Sequence, residues 1–259
     1  MKDSRIVKYA DLLNQSAKSR DAIAPLTKAD ASLSVDDAYA IQLYNVERMV
    51  RQGEVISGKK IGLTSQGIQQ QLGVNEPDYG HLFKSMDYSS GTVPANAFLQ
   101  PKIEAEIAFV LKEDLAGDNI TPEDVKKATD YVVGAFEIVD SRIENWNIKL
   151  VDTISDNASS GCYVLGTKEL TIDQVSLPDV TMQLYKNGVL VEEGNGSAVL
   201  GDPCISVAWL ANRLYHYGVT LKKGEVILSG AFSAAPMAAK GDIFEADFSS
   251  FGKVAAAFV

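Results

Sequence analysis

The chain has few residues of the kinds that build disulfide frameworks or histidine-rich metal sites. Only two cysteines, Cys162 and Cys204, and two histidines, His81 and His216, occur among its 259 residues. So few cysteines do not indicate a disulfide framework, and a reducing compartment is then the default. We therefore expect a cytoplasmic protein. A zinc site built from histidines is improbable, because such sites draw several ligands from histidine or cysteine.

Long apolar runs and an excess of positive charge are also missing. No apolar run approaches the roughly 18 residues that a membrane helix needs. The first residues form a mixed polar stretch, unlike the apolar segment of a signal peptide. The formal net charge is −10, with 24 lysines and arginines against 34 aspartates and glutamates. We therefore expect neither a nucleic-acid partner nor a membrane partner.

The order of the predicted elements is helix first and strand later. Residues 1–53 show helical periodicity, and Ser34 with Asp37 forms the pattern of a capping box. Residues 54–259 are rich in short strands and are expected to form one compact β-rich body. Helical segments followed by a run of strands are typical of the α+β class.

Seven segments of the second region show strand patterning, and one helix interrupts them. The helix begins at Asp202-Pro203, a capping residue followed by proline at the first helical position. Asn187-Gly188 predicts the type I′ turn of a hairpin. The predicted strand segments are 55–63, 103–111, 131–140, both arms of 181–191, 226–229, 243–248 and 253–259.

The sharpest local feature is a pair of glutamates inside an alternating strand. Glu104 and Glu106 share one strand face, roughly 6–7 Å apart along the strand, while the alternate residues are apolar. Adjacent carboxylates repel one another, and burying them without partners is costly. A divalent cation between them would remove the conflict. The alternative is a solvated strand face with two surface glutamates.

A third carboxylate lies in the apolar strand that follows. Glu137 is flanked by Phe136 and Ile138, and a charge in such a run needs a partner or a metal. Oxygen-only ligands suit Mg²⁺ or Mn²⁺. Glu137 could instead pair with Arg142 or with a lysine. Asp140 is the alternative third ligand, although alternation places it on the opposite face.

Two further segments carry candidate acid–base groups. Lys60 shares a strand face with Gly62, which leaves room for another group to approach. A lysine near a metal site can act as an acid or base, or can bind an anion. Asp78 lies in a turn, residues 73–80, where it is either a catalytic base or only a turn residue.

These segments occur in an order that resembles a known family. The ordered set is similar to the hydratase/decarboxylase family that includes 2-keto-4-pentenoate hydratase, within the fumarylacetoacetate hydrolase superfamily. Each motif alone is common, but the ordered set covers nearly the whole chain. The segments are residues 24–26, 60–65, 70–74, 76–80, 101–108, 137–142, 152–160 and 200–203.

The resemblance implies a helical N-terminal region followed by a mixed β-sheet roll. It also implies that Glu104, Glu106 and Glu137 hold Mg²⁺ or Mn²⁺, with Lys60 and Asp78 as catalytic residues. Two serines, Ser160 and Ser229, would contact substrate. At the second of these positions the family often has Thr-Gly where this chain has Ser229-Gly230, so the hydroxyl is kept.

The implied activity is metal-dependent addition of water to a small unsaturated 2-keto acid, 2-hydroxypenta-2,4-dienoate, in aromatic meta-cleavage catabolism. A decarboxylase of the 4-oxalocrotonate type and a C–C hydrolase of the superfamily are the alternatives. Homo-oligomers, often pentamers or decamers, are the habit of the family, and a complex with another enzyme of the pathway is a further expectation.

Overall fold

The computed structural model describes residues 3–259, with the side chains of Ile68, Gln71 and Leu72 left aside. The α-helices are α1 (Ser4–Ser19), α2 (Leu26–Ala29), α3 (Val35–Arg51), α4 (Gln66–Leu72), α5 (Pro122–Ala128), α6 (Leu150–Ser155) and α7 (Pro203–Tyr215). The strands are β1 (Ile56–Gly62), β2 (Asp78–Phe83), β3 (Thr92–Val93), β4 (Lys102–Leu111), β5 (Thr129–Val139), β6 (Ser160–Leu165), β7 (Thr181–Lys186), β8 (Val189–Asn195), β9 (Val226–Leu228), β10 (Ile243–Phe248) and β11 (Gly252–Phe258).

The strands form two mixed sheets. Sheet A has the order β2-β1-β9-β4-β5-β6, and sheet B has the order β3-β11-β10-β7-β8. Strand β1 runs parallel to β9, whereas β4 and β5 form the long antiparallel pair of sheet A. Helices precede two mixed sheets, so the predicted α+β class is confirmed. In the described part of the chain, no helix combines the length and apolarity needed to cross a bilayer.

Strand β4 separates a core face from a polar face. Alternate residues Ile103, Ala105 and Ile107 belong to the main apolar cluster, in which both sheets take part. Glu104 and Glu106 lie between them and point to the opposite face of the strand. The alternation predicted from the sequence is therefore present, and it turns two carboxylates away from the core.

The N-terminal helices make a small apolar cluster of their own. Helix α3 begins with the predicted capping box, in which Ser34 Oγ accepts a hydrogen bond from the Asp37 amide at 3.1 Å. Ile6, Leu13 and Ile41 are buried in this cluster, which also includes Ile143 from the β-rich body, residues 54–259. Helix α3 also packs against α6. The proposed division at residue 53 stays a prediction.

The hairpin prediction is confirmed, and the turn prediction for residues 73–80 is partly wrong. Asn187 and Gly188 have φ angles of 53° and 79°, the left-handed pair of a type I′ turn. Asp78, however, opens β2, which is buried along its whole length and pairs with β1. Polar and small residues in this strand hide its pattern, because both of its faces are covered and no apolar alternation is left to read.

Several further elements are too short, or carry too little periodicity, to be predicted from the sequence. Helices α4, α5 and α6 each span seven residues or fewer, and β3 has two residues. The sequence pattern also does not predict strand β6, which begins directly after a turn. Elements of this length carry too few repeats for a pattern to distinguish them from loops.

The close approach of β1 to β9 gives a test of the fold. A Cβ on Gly58 would lie 1.8 Å from the carbonyl oxygen of Val226, so Gly58→Ala forces the two backbones apart. We expect a loss of about 2 kcal/mol or more in the free energy of unfolding, measured by urea denaturation. Gly67→Ala is the matched control, because no atom that the structure describes lies within 4 Å of its new Cβ. Equal stability of the two variants would contradict the register.

Candidate active site and metal centre

Three carboxylates converge on one face of sheet A. Glu104 on β4 stands directly opposite Glu137 on β5, and Glu106 lies two residues further along β4. Each of the three offers an oxygen, and these oxygens all lie within 4.8 Å of one another. Glu106 and Glu137 have no exposed surface. The structure thus brings together the three residues predicted as metal ligands, and a solvated strand face is excluded.

Several of these carboxylate oxygens lack a hydrogen-bond partner. Glu106 Oε2 accepts a hydrogen bond from the Gly230 amide at 2.9 Å, and Glu137 Oε1 is paired with Lys60, but Glu106 Oε1 and Glu137 Oε2 are buried without a partner. Unpartnered charge in such a place is costly. An oxygen-only cluster of this kind fits a hard divalent cation, which would supply the missing positive charge.

The pKa values of the three glutamates show that their negative charge is unfavourable in this buried place. Burial raises the pKa of Glu106 well above its ordinary value, and the neighbouring Glu137 and Glu104 add to the effect. Burial also raises the pKa of Glu137, to about 8, although Lys60 opposes the change. The pKa of Glu104 is raised for the same first reason. The protein groups alone therefore hold less positive charge than the carboxylates require.

Lys60 reaches the cluster from β1. Its Nζ lies 3.2 Å from Glu137 Oε1 and donates a hydrogen bond to the Ala158 carbonyl oxygen at 3.0 Å. The expectation that a lysine could pair with Glu137 is therefore realised inside the acidic cluster. Burial works against the charge of the ammonium group, but Glu137 and the other nearby carboxylates outweigh it and raise the pKa of Lys60.

Asp78 joins Lys60 because Gly62 has no side chain. The two strands pair with Gly62 opposite Asp78, and a Cβ on this glycine would lie 2.3 Å from Asp78 Oδ1 and 3.3 Å from Lys60 Nζ. The space predicted beside Lys60 is thus filled by a carboxylate. Burial raises the pKa of Asp78, partly offset by Lys60, and its Oδ1 has no hydrogen-bond partner.

A strained turn between α6 and β6 orients the partner of Lys60. Asn157, Ala158 and Ser159 have φ angles of 55°, 51° and 53°, a left-handed run without glycine. Such backbone is uncommon and persists only where its surroundings hold it in place. The Asn157 side chain bonds the backbone N–H and carbonyl of His81, at 2.8 and 2.9 Å. These hydrogen bonds hold the turn in the position in which the Ala158 carbonyl accepts a hydrogen bond from Lys60.

An arginine secures the base of the same turn. Arg142 donates hydrogen bonds to the Asp156 carboxylate, to the Asp156 carbonyl at 2.7 Å and to the Ser160 carbonyl at 3.0 Å. The alternative pairing of Glu137 with Arg142 is therefore not realised. No sequence signal revealed this role beyond the presence of an arginine next to a buried strand.

The site opens into a cavity of about 790 Å³. Lys60, Asp78 and Glu104 lie in its wall, so the two candidate acid–base residues and one glutamate of the acidic cluster face one space. Five residues that carry hydroxyl groups also line it: Thr64, Ser65, Thr153, Ser159 and Ser233. Its apolar lining comes from Ile61, Leu63, Val139, Trp146, Ile148, Ala158, Ala198, Ala231, Phe232, Ala234 and Ala235.

Three other candidates lie apart from this cavity. Ser160 Oγ donates to the Asn157 carbonyl at 2.7 Å, and Ser229 Oγ donates to the Ile107 carbonyl at 2.8 Å. Neither serine is in the cavity wall, so the structure does not bring these predicted substrate-binding residues to the site. Asp140 accepts the backbone N–H groups of Leu99 and Gln100, at 3.0 and 2.8 Å, and is not part of the acidic cluster.

Comparison with known proteins identifies the family. Residues 74–259 match the family described as Fumarylacetoacetate (FAA) hydrolase C-terminal. The chain belongs to the fumarylacetoacetate hydrolase family. It is 46% identical over 250 residues to a 2-keto-4-pentenoate hydratase of Paraburkholderia xenovorans (strain LB400), covering 96% of this chain and 93% of the relative. The resemblance read from the sequence is confirmed.

Two further relatives resemble the chain over nearly its whole length. A 2-hydroxyhexa-2,4-dienoate hydratase of Comamonas testosteroni is 45% identical over 236 residues, 90% of this chain and 89% of the relative. The structure of a 4-oxalocrotonate decarboxylase from Pseudomonas putida G7, complexed with magnesium and adipate, superposes with a TM-score of 0.96. That match has 34% identity and covers 100% of this chain and 99% of the other.

The raised pKa of Glu137 predicts a pH-dependent response to metal. In the metal-free fold burial raises the pKa of Glu137 from its ordinary value of 4.5 to about 8, against the opposing effect of Lys60. The stability gained from a proton on Glu137 is complete below the ordinary value and is lost as the pH rises through the folded one. In EDTA we expect the melting temperature to fall as the pH rises through this window. Mg²⁺ should raise the melting temperature more at the alkaline end of the window than at the acidic end.

Glu137→Gln and Glu113→Gln test this behaviour by differential scanning fluorimetry. The first removes the titrating carboxyl and should flatten both the pH slope and the response to Mg²⁺. The second removes an exposed glutamate and should change neither. A Mg²⁺ response in Glu137→Gln equal to that of the unmodified protein would count against the cluster as the metal site.

Proposed function

We propose that this chain is a divalent-metal-dependent hydro-lyase that adds water to 2-hydroxypenta-2,4-dienoate and forms 4-hydroxy-2-oxopentanoate, in the meta-cleavage catabolism of aromatic compounds. The observation that carries the proposal is the buried cluster Glu104, Glu106 and Glu137, with Lys60 3.2 Å from Glu137 and with Lys60, Asp78 and Glu104 lining one cavity. Relatives named as 2-keto-4-pentenoate hydratases, at 41–46% identity over nearly the whole chain, support the choice of reaction.

The three glutamates would hold Mg²⁺ or Mn²⁺, since their oxygens alone form the cluster. When bound, the ion would supply Lewis-acid stabilisation of negative charge on the 2-oxygen and carboxylate of the substrate. Glu104 lines the cavity, while Glu106 and Glu137 have no exposed surface. The substrate therefore approaches the cluster from the Glu104 side.

Lys60 and Asp78 would move the protons. The dienol first becomes a ketone, with a proton delivered to C5 and the enol proton removed, which leaves a C3–C4 double bond conjugated to the ketone. Water then adds its oxygen at C4 and a proton at C3. The Lys60 ammonium is suited to donate, and the unpartnered Asp78 Oδ1 is suited to accept.

Decarboxylation of a 4-oxalocrotonate-type substrate is the second candidate. It is favoured by the close superposition, at a TM-score of 0.96, on a protein named as 4-oxalocrotonate decarboxylase. A histidine-dependent C–C hydrolase is disfavoured, because His81 is buried against Gln42 and outside the cavity wall. Burial, together with the charge of Lys59, lowers the pKa of His81 to about 3. His216 is exposed at the end of α7.

We further propose that the enzyme acts in the cytoplasm as a homo-oligomer, a pentamer or decamer, with a possible complex with another enzyme of the pathway. Its two cysteines are free and buried, which agrees with a reducing compartment. Sedimentation velocity of the purified chain tests the assembly. A monomer at micromolar concentration would refute this part of the proposal and leave the chemistry untouched.

The activity test uses freshly prepared 2-hydroxypenta-2,4-dienoate with Mg²⁺, with Mn²⁺ or with EDTA. We expect loss of the diene absorbance only with metal, and a product heavier by one water in the mass spectrum. Carbon dioxide release from 4-oxalocrotonate, without hydration of the dienoate, would instead select the decarboxylase. Turnover that persists in EDTA would overturn the metal-dependent reaction.

Two substitutions separate metal binding from proton transfer. Glu104→Gln should lower both the affinity for Mg²⁺ and kcat, the latter by about 100-fold or more, because a ligand is lost. Lys60→Met should lower kcat by about 100-fold while leaving Mg²⁺ binding in place, because it removes a proton donor. Calorimetric titration of Mg²⁺ and steady-state kinetics measure the two effects. A Lys60→Met variant with normal kcat would exclude Lys60 from the chemistry.

A further inference from the structure

A second lysine, Lys102, lines the cavity. Lys102 is the first residue of β4, two positions before Glu104 on the same strand face, and it is half-buried. Its Nζ lies 4.3 Å from the ring centroid of Trp146, a cation–π contact. Among the described residues that line the cavity, Lys60 and Lys102 are the cations.

The two lysines differ in what already holds them. Lys60 Nζ is engaged by Glu137 and by the Ala158 carbonyl oxygen. Lys102 has the Trp146 ring as its contact, and in the described part of the chain no carboxylate pairs with it within the ion-pair distance. An ammonium group that is held by an aromatic ring keeps its donors available for an anion.

The charge of the site calls for such a cation. Glu104, Glu106, Glu137 and Asp78 stand against Lys60, and a bound divalent cation still leaves the ionised groups with a net negative charge. The whole chain carries a formal net charge of −10. A 2-oxo acid is an anion at neutral pH, so it meets repulsion unless another cation faces it. Lys102 is placed to be that cation.

Residues behind the cavity wall hold the Trp146 ring in position. Trp146 Nε1 donates to the Gln100 carbonyl at 2.9 Å, and the backbone N–H of Gln100 donates to Asp140 at 2.8 Å. Asn145 and Trp146 have φ angles of 57° and 54°, an uncommon conformation for a bulky residue. Asp140, first considered as a metal ligand, thus anchors the support of Lys102.

Lys102 and the acid–base pair reach the cluster from different strands. Lys102 approaches along β4, while Lys60 and Asp78 approach from β1 and β2. We propose that Lys102, held by Trp146, is the substrate-binding cation that recognises the C1 carboxylate of the 2-oxo acid, with the reacting carbons directed toward Lys60 and Asp78. This inference rests on the proposed function, because it assumes an anionic 2-oxo acid as substrate.

The test is a calorimetric titration of the Mg²⁺-loaded protein with 2-oxopentanoate, a saturated 2-oxo acid monoanion that has no double bond to hydrate. Lys102→Met removes the charge and keeps a long apolar side chain against Trp146. We expect it to weaken the binding of 2-oxopentanoate about tenfold or more, the range of a lost charge-assisted hydrogen bond. Lys102→Arg keeps the charge and should bind within about threefold of the unmodified protein.

The controls isolate the anion contact. Mg²⁺ alone should bind to Lys102→Met no more weakly than to the unmodified protein, and Lys240→Met, at an exposed lysine, should leave both titrations unchanged. In kinetics with the dienoate, Lys102→Met should raise KM, with kcat changed less than about threefold. Its kcat/KM should also depend less steeply on salt, because a charge that attracts the substrate is gone.

The outcomes separate this inference from the function on which it rests. Equal binding of 2-oxopentanoate by the unmodified protein and by Lys102→Met would overturn the role of Lys102 and leave the hydratase proposal standing. No binding by the unmodified Mg²⁺-loaded protein, together with no hydration of the dienoate, would overturn both. A loss of kcat with unchanged KM would also count against Lys102 as a binding residue.

Discussion

The site depends on carboxylates that repel one another and that two paired strands hold close together. Glu104 and Glu137 stand directly opposite each other in the β4–β5 register, and Glu106 follows on the same face. Like charges at opposite positions of a sheet destabilise it, yet here they lie in a buried wall. The strands keep this register because their other faces belong to the apolar core, where Ile103 and Ile138 are fully buried. Core packing thus stabilises an arrangement that the carboxylates alone would not adopt.

The surrounding groups offset that repulsion in part and leave the remainder to a ligand. Lys60 contributes one positive charge, at 3.2 Å from Glu137. The left-handed turn at Asn157–Ser159 supplies the Ala158 carbonyl that holds this ammonium, and Arg142 secures the turn through Asp156. The carboxylate oxygens that remain without partners mark where a divalent cation fits. Strain and unsatisfied charge are therefore concentrated where the chemistry would occur, as is common at functional sites.

Charge is distributed along the cavity in a way that suits an anionic substrate. Lys60 and Asp78 approach the acidic cluster from one pair of strands, and Lys102 lies at the outer end of β4 over Trp146. Neither histidine lines the cavity: His81 is buried against Gln42, and His216 is exposed. This distribution fits proton transfer by lysine and aspartate, and it gives little support to hydrolysis initiated by a histidine.

The sequence by itself determined the α+β class, the family, the face shared by Glu104 and Glu106, and the pairing of lysine, aspartate and glutamates as candidates. These follow from period-two alternation, local caps and ordered motifs, all of which are carried by near neighbours in the chain. Only the tertiary structure decided that Asp140 supports Gln100 and lies outside the acidic cluster, and that the hydroxyls of Ser160 and Ser229 turn to backbone carbonyls. It also made Asp78 a strand residue and set Lys102 over Trp146. These outcomes depend on contacts between residues distant in sequence, and alternation along one strand contains no information about what lies across from it.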